Sequence, residues 1–74
     1  MRLELPRGAN VGVDVFDIVG RHIRALADGV AALGLQEWNW DGADAAGRHM
    51  PAGIHRVCAL VDGVSQSRTI VRLN

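Results

Sequence analysis

A chain of 74 residues, about half of them apolar, buries only ~60–65% of the surface its unfolded form exposes, which leaves room for two thin layers and little for an enclosed active site. Eight arginines balance eight acidic residues and there is no lysine, so the electrostatic footprint of a nucleic-acid or anionic-membrane binder is missing. Cys58 has no partner for an internal disulfide, no stretch approaches the ~20 apolar residues that span a bilayer, and Met1-Arg2-Leu3-Glu4 runs into Pro-Arg-Gly rather than an apolar signal core.

Residues 1–74 are read as one domain. A short strand is expected at Arg2 to Leu5, then a turn at Pro6 to Asn10. Val11, Val13 and Val15 alternate with Gly12, Asp14 and Phe16, the period-two pattern of a strand over Val11 to Phe16. A turn at Asp17 to Gly20 follows, then a strand at His22 to Leu26. Ile23, Leu26, Ala27, Val30 and Leu33 also recur at helical spacing, but Gly20, Gly29 and Gly34 each weaken a helix by roughly 0.5–1 kcal/mol, which favours a strand followed by a loop to Gly34. Leu35 to Trp40 reads as a strand that points both Trp38 and Trp40 to one side. A long loop covers Asp41 to Gly53. Ile54 to Leu60 and Ser67 to Leu73 alternate again, and Val61-Asp62-Gly63-Val64 between them is a hairpin signal. Asp-Gly also occurs at Asp28-Gly29 and Asp41-Gly42. The sum is an all-β, immunoglobulin-like antiparallel β-sandwich of about seven short strands, with Val13, Val15, Trp38, Trp40, Val57 and Val71 in its core.

Three ordered segments carry a family resemblance: Val13-Asp14-Val15-Phe16-Asp17-Ile18-Val19-Gly20-Arg21, then Trp40-Asp41-Gly42-Ala43-Asp44-Ala45-Ala46-Gly47-Arg48, then Pro51-Ala52-Gly53-Ile54. Together they resemble the immunoglobulin-like domain of flagellar hook-capping proteins and the C-terminal modules of secreted bacterial proteins, including sorting domains of the type IX secretion kind. The chain departs from that pattern at Ile54-His55, where such domains carry Val-Tyr, and at Arg56, where an apolar or aromatic residue is usual. The motif positions Asp17, Gly20, Arg21, Trp38, Trp40, Asp41, Gly42, Gly47, Pro51 and Gly53 read as scaffold. An Asp opening a tight turn satisfies backbone donors, Gly20 admits positive φ, Asp41 caps the amides of its loop, and Pro51 with Gly53 fixes re-entry into a strand.

No chemical constellation competes with that reading. His22, His49 and His55 are separated by 27 and 6 positions, which fits no zinc signature, and Cys58 adds a single thiol. Asp41, Asp44 and Asp62 lack the alternating oxygen ligands of a calcium loop and read as turn caps. Ser65 and Ser67 sit in no nucleophile elbow, and without a lysine there is no phosphate-binding P-loop. Cys58 reads as a small buried hydrophobe, with Arg56 two residues away on its face as the one feature favouring a reactive thiol. The expectation is therefore no catalytic, metal or cofactor site. The resemblance implies an extracellular or cell-surface structural and attachment module acting by protein–protein contacts at sheet edges. Its alternatives are a self-assembling subunit of a filament or cap, and an accessory domain of a secreted hydrolase.

Overall fold

The computed structural model describes residues 1–73. Its elements follow the alternation of the sequence: β1 (Arg2–Leu5), β2 (Ala9–Asp17), β3 (His22–Ala31), β4 (Gly34–Glu37), β5 (Gly53–Val61) and β6 (Val64–Arg72). All pairings are antiparallel. β1 and β4 form a two-stranded sheet, and β3-β2-β5-β6 form a four-stranded one. The chain is thus an immunoglobulin-like sandwich of six strands; the seventh is absent among the described residues because residues 38–52 contribute only an isolated Ala43–His49 bridge.

The core is narrow. Val13, Val15 and Val57 are at most 1% exposed, and Leu3, Leu5, Ala9, Val11 and Ala59 complete the buried cluster. Val15 lies opposite Val57 and Val13 opposite Ala59, so β2 and β5 supply the floor and the two leucines of β1 the ceiling. Trp38 and Trp40 pack against this cluster while remaining half-buried. They lie beyond the end of β4, so the expected strand to Trp40 stops three residues short, and the indoles shield the core's margin rather than fill its centre.

β3 runs to Ala31 and not to Leu26, and Asp28-Gly29 lies within it rather than at a turn. Its pairing with β2 skips Leu26, between the partners of Val13 and Asp14, and Ile23, between the partners of Val15 and Phe16. These two bulges each insert one extra residue and bend the strand over the core. They explain why Ile23, Leu26 and Ala27 all pack inward from an extended chain, and hence why the sequence shows helical spacing with no helix behind it.

Two expectations on the last hairpin are corrected. Asp62 and Gly63 have φ of 47° and 84°, the two positive values of a tight hairpin turn, and this turn sets Val61 opposite Val64, Val57 opposite Arg68 and His55 opposite Ile70. The inward side of β6 is therefore the row containing Ile70, and Val71 points outward at 64% exposure. Cys58 is likewise on the outer side of its strand, half-buried and beside Ser67, because its neighbours Val57 and Ala59 occupy the inner side.

Truncating a fully buried valine leaves a void the neighbours cannot refill. Val13→Ala is expected to cost roughly 2–3 kcal/mol, a large share of the ~4–10 kcal/mol that holds a domain of this size. Val71→Ala is expected to change stability by less than about 0.5 kcal/mol. Urea denaturation followed by tryptophan fluorescence measures both.

Candidate functional site

Two loops line one concavity of the sandwich, and they repeat one sequence pattern. Asp17-Ile18-Val19-Gly20-Arg21 connects β2 to β3; Asp44-Ala45-Ala46-Gly47-Arg48 lies in the long segment before β5. In the first, Asp17 Oδ1 accepts from the amides of Val19 at 3.0 Å and Arg21 at 2.9 Å, and Oδ2 accepts from Arg21 Nε at 2.8 Å. The Gly20 amide donates to the Asp17 carbonyl and the Asp17 amide to the Arg21 carbonyl, both at 3.0 Å. The second loop reproduces every bond. Asp44 Oδ1 accepts from Ala46 and Arg48 amides, Oδ2 from Arg48 Nε, and the Gly47 and Asp44 amides close the same two backbone bonds. Gly20 and Gly47 have φ of 97° and 85°, a conformation that costs a residue with a Cβ about 1–2 kcal/mol.

The two turns meet across a shallow concavity of about 440 Å³ between Asp17, Arg21, Ile23, Asp44, Arg48 and Met50, and the Ala45 amide donates to the Ile23 carbonyl at 3.3 Å to hold the second turn against β3. Both carboxylates titrate below their usual range. For Asp17 the largest cause is the Arg21 amide, opposed by partial desolvation and helped by the Arg21 guanidinium and the Val19 amide. For Asp44 it is the Arg48 amide, with the Ala46 amide and the Arg48 charge adding to it. Each carboxylate already accepts three donors, and its proton affinity is lowered where a general base working near neutral pH has it raised. What the concavity offers outward is the pair of arginines, whose side chains are 78% and 82% exposed.

The remaining motif positions serve other contacts. Asp41 Oδ1 accepts from the Ala43 amide and from Arg24 Nη1, and the Ala43 amide followed by the Arg24 charge holds its carboxyl low. Trp40 donates from Nε1 to the Ala43 carbonyl at 2.8 Å, its ring lies 4.7 Å from that of His55, and the Arg72 guanidinium sits 5.9 Å above it. Gly42, at φ 87°, is buried against that guanidinium. Trp38 faces β3 in a separate groove, and Pro51 and Gly53 are exposed at the entry to β5, outside the concavity. His22 contacts Asp14 at 2.8 Å, while His55 is buried with Nδ1 unpartnered. Among the described residues no three His, Cys, Asp or Glu side chains gather as a metal site would require. Sequence reasoning singled out Asp17, Gly20, Arg21 and Gly47 as motif positions and read Asp44 as a turn cap, which its bonds to the Ala46 and Arg48 amides bear out; it did not pair the two loops or give Arg48 a role. The signal was present, since the same Asp, Gly and Arg spacing occurs at 17–21 and 44–48.

A thin antiparallel sandwich whose loop carboxylates are occupied by their own backbone is an immunoglobulin-like structural module. Residues 1–62 match the FlgD Ig-like domain, and the chain belongs to this family, that of the flagellar hook-capping proteins. The match supports that half of the resemblance and gives no support to the comparison with type IX sorting domains. No curated protein matches the chain.

Because the folded-state affinity of Asp17 and Asp44 for protons is lowered, their contribution to stability is complete above the usual carboxylate range and vanishes as pH falls through their folded values. The variant carrying Asp17→Asn and Asp44→Asn is expected to melt at a lower temperature than the parent at pH 7, with the gap closing towards pH 2; thermal melts across that range test it. Gly42→Ala combines a strained φ with displacement of Arg72 from Trp40, and is expected to cost about 1–2 kcal/mol or more, with a change in Trp40 emission on the same sample.

Proposed function

We propose that this chain is a noncatalytic structural and attachment module that works outside the cell or at its surface through protein–protein contacts. The observation that carries the reading is the match to the FlgD Ig-like domain over most of the chain. The doubled Asp-Gly-Arg turn agrees with it: the carboxylates on both sides of the concavity between the two loops are committed to backbone donors. Secretion sorting of the type IX kind is a narrower form of the same proposal, in which the module directs export and anchoring of the protein that carries it.

Self-assembly is the second reading, motivated by the exposed apolar residues Leu33, Leu35, Val71 and Leu73 and by the free edges of β1 and β6. An accessory role beside a hydrolase is a third, decided by whether the parent gene encodes one upstream. The first two separate in light scattering on the purified chain over roughly a hundredfold range of concentration. An attachment module is expected to keep the 7.9 kDa mass throughout; a mass that climbs with concentration sinks that reading in favour of a filament or cap subunit.

A further inference from the structure

The two layers of the sandwich are unequal, two strands above four. β4 lies over β3, since one groove is lined by Gln36 and Trp38 together with Ala27, Gly29 and Ala31. β1 therefore lies on the other side, with Leu3 and Leu5 in one buried cluster with Val57 and Ala59, and Leu5 shares a concavity with Val61, Val64 and Gln66, which turns its far edge towards β6. The inward row of β6 shows the consequence. Val64, Gln66 and Arg68 stand opposite Val61, Ala59 and Val57, whose side is the core side, yet Val64 is 63% exposed and Gln66 and Arg68 are exposed as well. One strand's width of inward-facing sheet has no cover.

That strip adjoins an open backbone edge. The Trp38 amide donates to the Met1 carbonyl at 2.8 Å and the Met1 amine to the Trp38 carbonyl at 2.6 Å. Antiparallel alternation then directs the amides and carbonyls of Leu3 and Leu5 to β4 and those of Arg2 and Glu4 away from it. A concavity of about 300 Å³ bounded by Leu5, Arg7, Val61, Val64 and Gln66 marks where the edge and the strip meet.

We propose that the free edge of β1 and the uncovered row of β6 form a binding site for a single extended segment of a partner protein, added as the third strand of the smaller sheet. The inference rests on the reading of the chain as a contact module and names the contact. Spacing selects a lone strand: it would sit ~4.8 Å from β1 and ~10 Å above β6, whereas a second copy docking β1 on β1 would bring its own overhanging β6 into the same space. Charge selects the segment. Among the described residues Arg7 and Arg68 pair with no carboxylate, and Arg68 Nη1 donates only to the adjacent Ser67 carbonyl, with half-buried Ile70 on one side of it in the row and Gln66 followed by Val64 on the other. The inward residues of the ligand are accordingly acidic over Arg68, apolar over Ile70, and apolar again over the Gln66 stem towards Val64, a β-augmentation with a charged centre.

The test uses the whole ¹⁵N-labelled chain and the capped pentapeptide Val-Thr-Glu-Thr-Val at concentrations up to about 1 mM. Binding is expected to slow hydrogen exchange at the Glu4 amide and leave the Leu3 and Leu5 amides unchanged, and a peptide N-methylated along its edge-facing side is expected to lose the effect. Arg68→Glu is expected to weaken binding about fivefold, with the loss recovered by a peptide bearing Lys in place of Glu. No binding, binding without protection at Glu4, or indifference to the charge exchange overturns the site. Light scattering on the same samples keeps the two levels apart. A monomer that ignores the peptide refutes the docking strip alone, while growth in mass without peptide refutes the attachment reading beneath it.

Discussion

The contact on which the rest of this structure depends is the valine seam between β2 and β5, where Val15 faces Val57 and Val13 faces Ala59 with almost no access to water. A domain this small has no second core to fall back on. Dispersion and solvent exclusion at three valines and a handful of neighbours must outweigh the entropy of ordering the chain. The buried polar residues, Asp17 and His55, accordingly lie at the end of β2 and near the start of β5, away from the centre of the seam. The smaller sheet seals the seam from above with only Leu3 and Leu5, and the half-buried indoles of Trp38 and Trp40 close its sides.

The loops solve the complementary problem, that of backbone groups which leave a strand and find no ladder. In both Asp-Gly-Arg turns the aspartate substitutes for the missing partners, and the arginine repeats the interaction from its side chain. Arginine suits this better than lysine would, because a guanidinium can bond a carboxylate through Nε and still present its terminal nitrogens. Repetition of the same turn at 17–21 and 44–48 means that one local solution is used on two loops that then face one another. The family's structural character is expressed here in chemistry: charge that could have been mobile is fixed.

Much of this fold was legible in the alternation of the chain, above all in β2 and β5, where Ala9, Val11, Val13 and Val15, and then Val57 and Ala59, fall at every second position and are buried. β3 was not, because period arguments assume an unbroken pleat, and bulges at Ile23 and Leu26 twice shift its parity. The outward position of Val71 was readable in principle. A two-residue Asp62-Gly63 turn forces Val57 opposite Arg68 and His55 opposite Ile70, which places Val71 on the other face. The alternation of Ser67 to Leu73 alone does not say which of its two rows, Ile70 or Val71, faces inward. Among site residues, the capping role of Asp44 was legible, but the equivalence of the two loops, and with it the part played by Arg48, was not drawn from a spacing that copies that of Asp17 and Arg21.

The end of β6 is tied to the body of the protein by one side chain. Arg72 donates from Nε to the Met50 carbonyl at 3.3 Å and lies over Trp40, above the buried Gly42. β6 is also an outer strand joined to β5 by a hairpin whose turn lies at the opposite end. Tension applied at Leu73 consequently meets the Arg72 clamp first and then the β5–β6 ladder one pair at a time, from Gly53–Arg72 towards Val61–Val64. The domain yields to a pull on this end by progressive peeling, and the valine seam carries load only after the hairpin has opened.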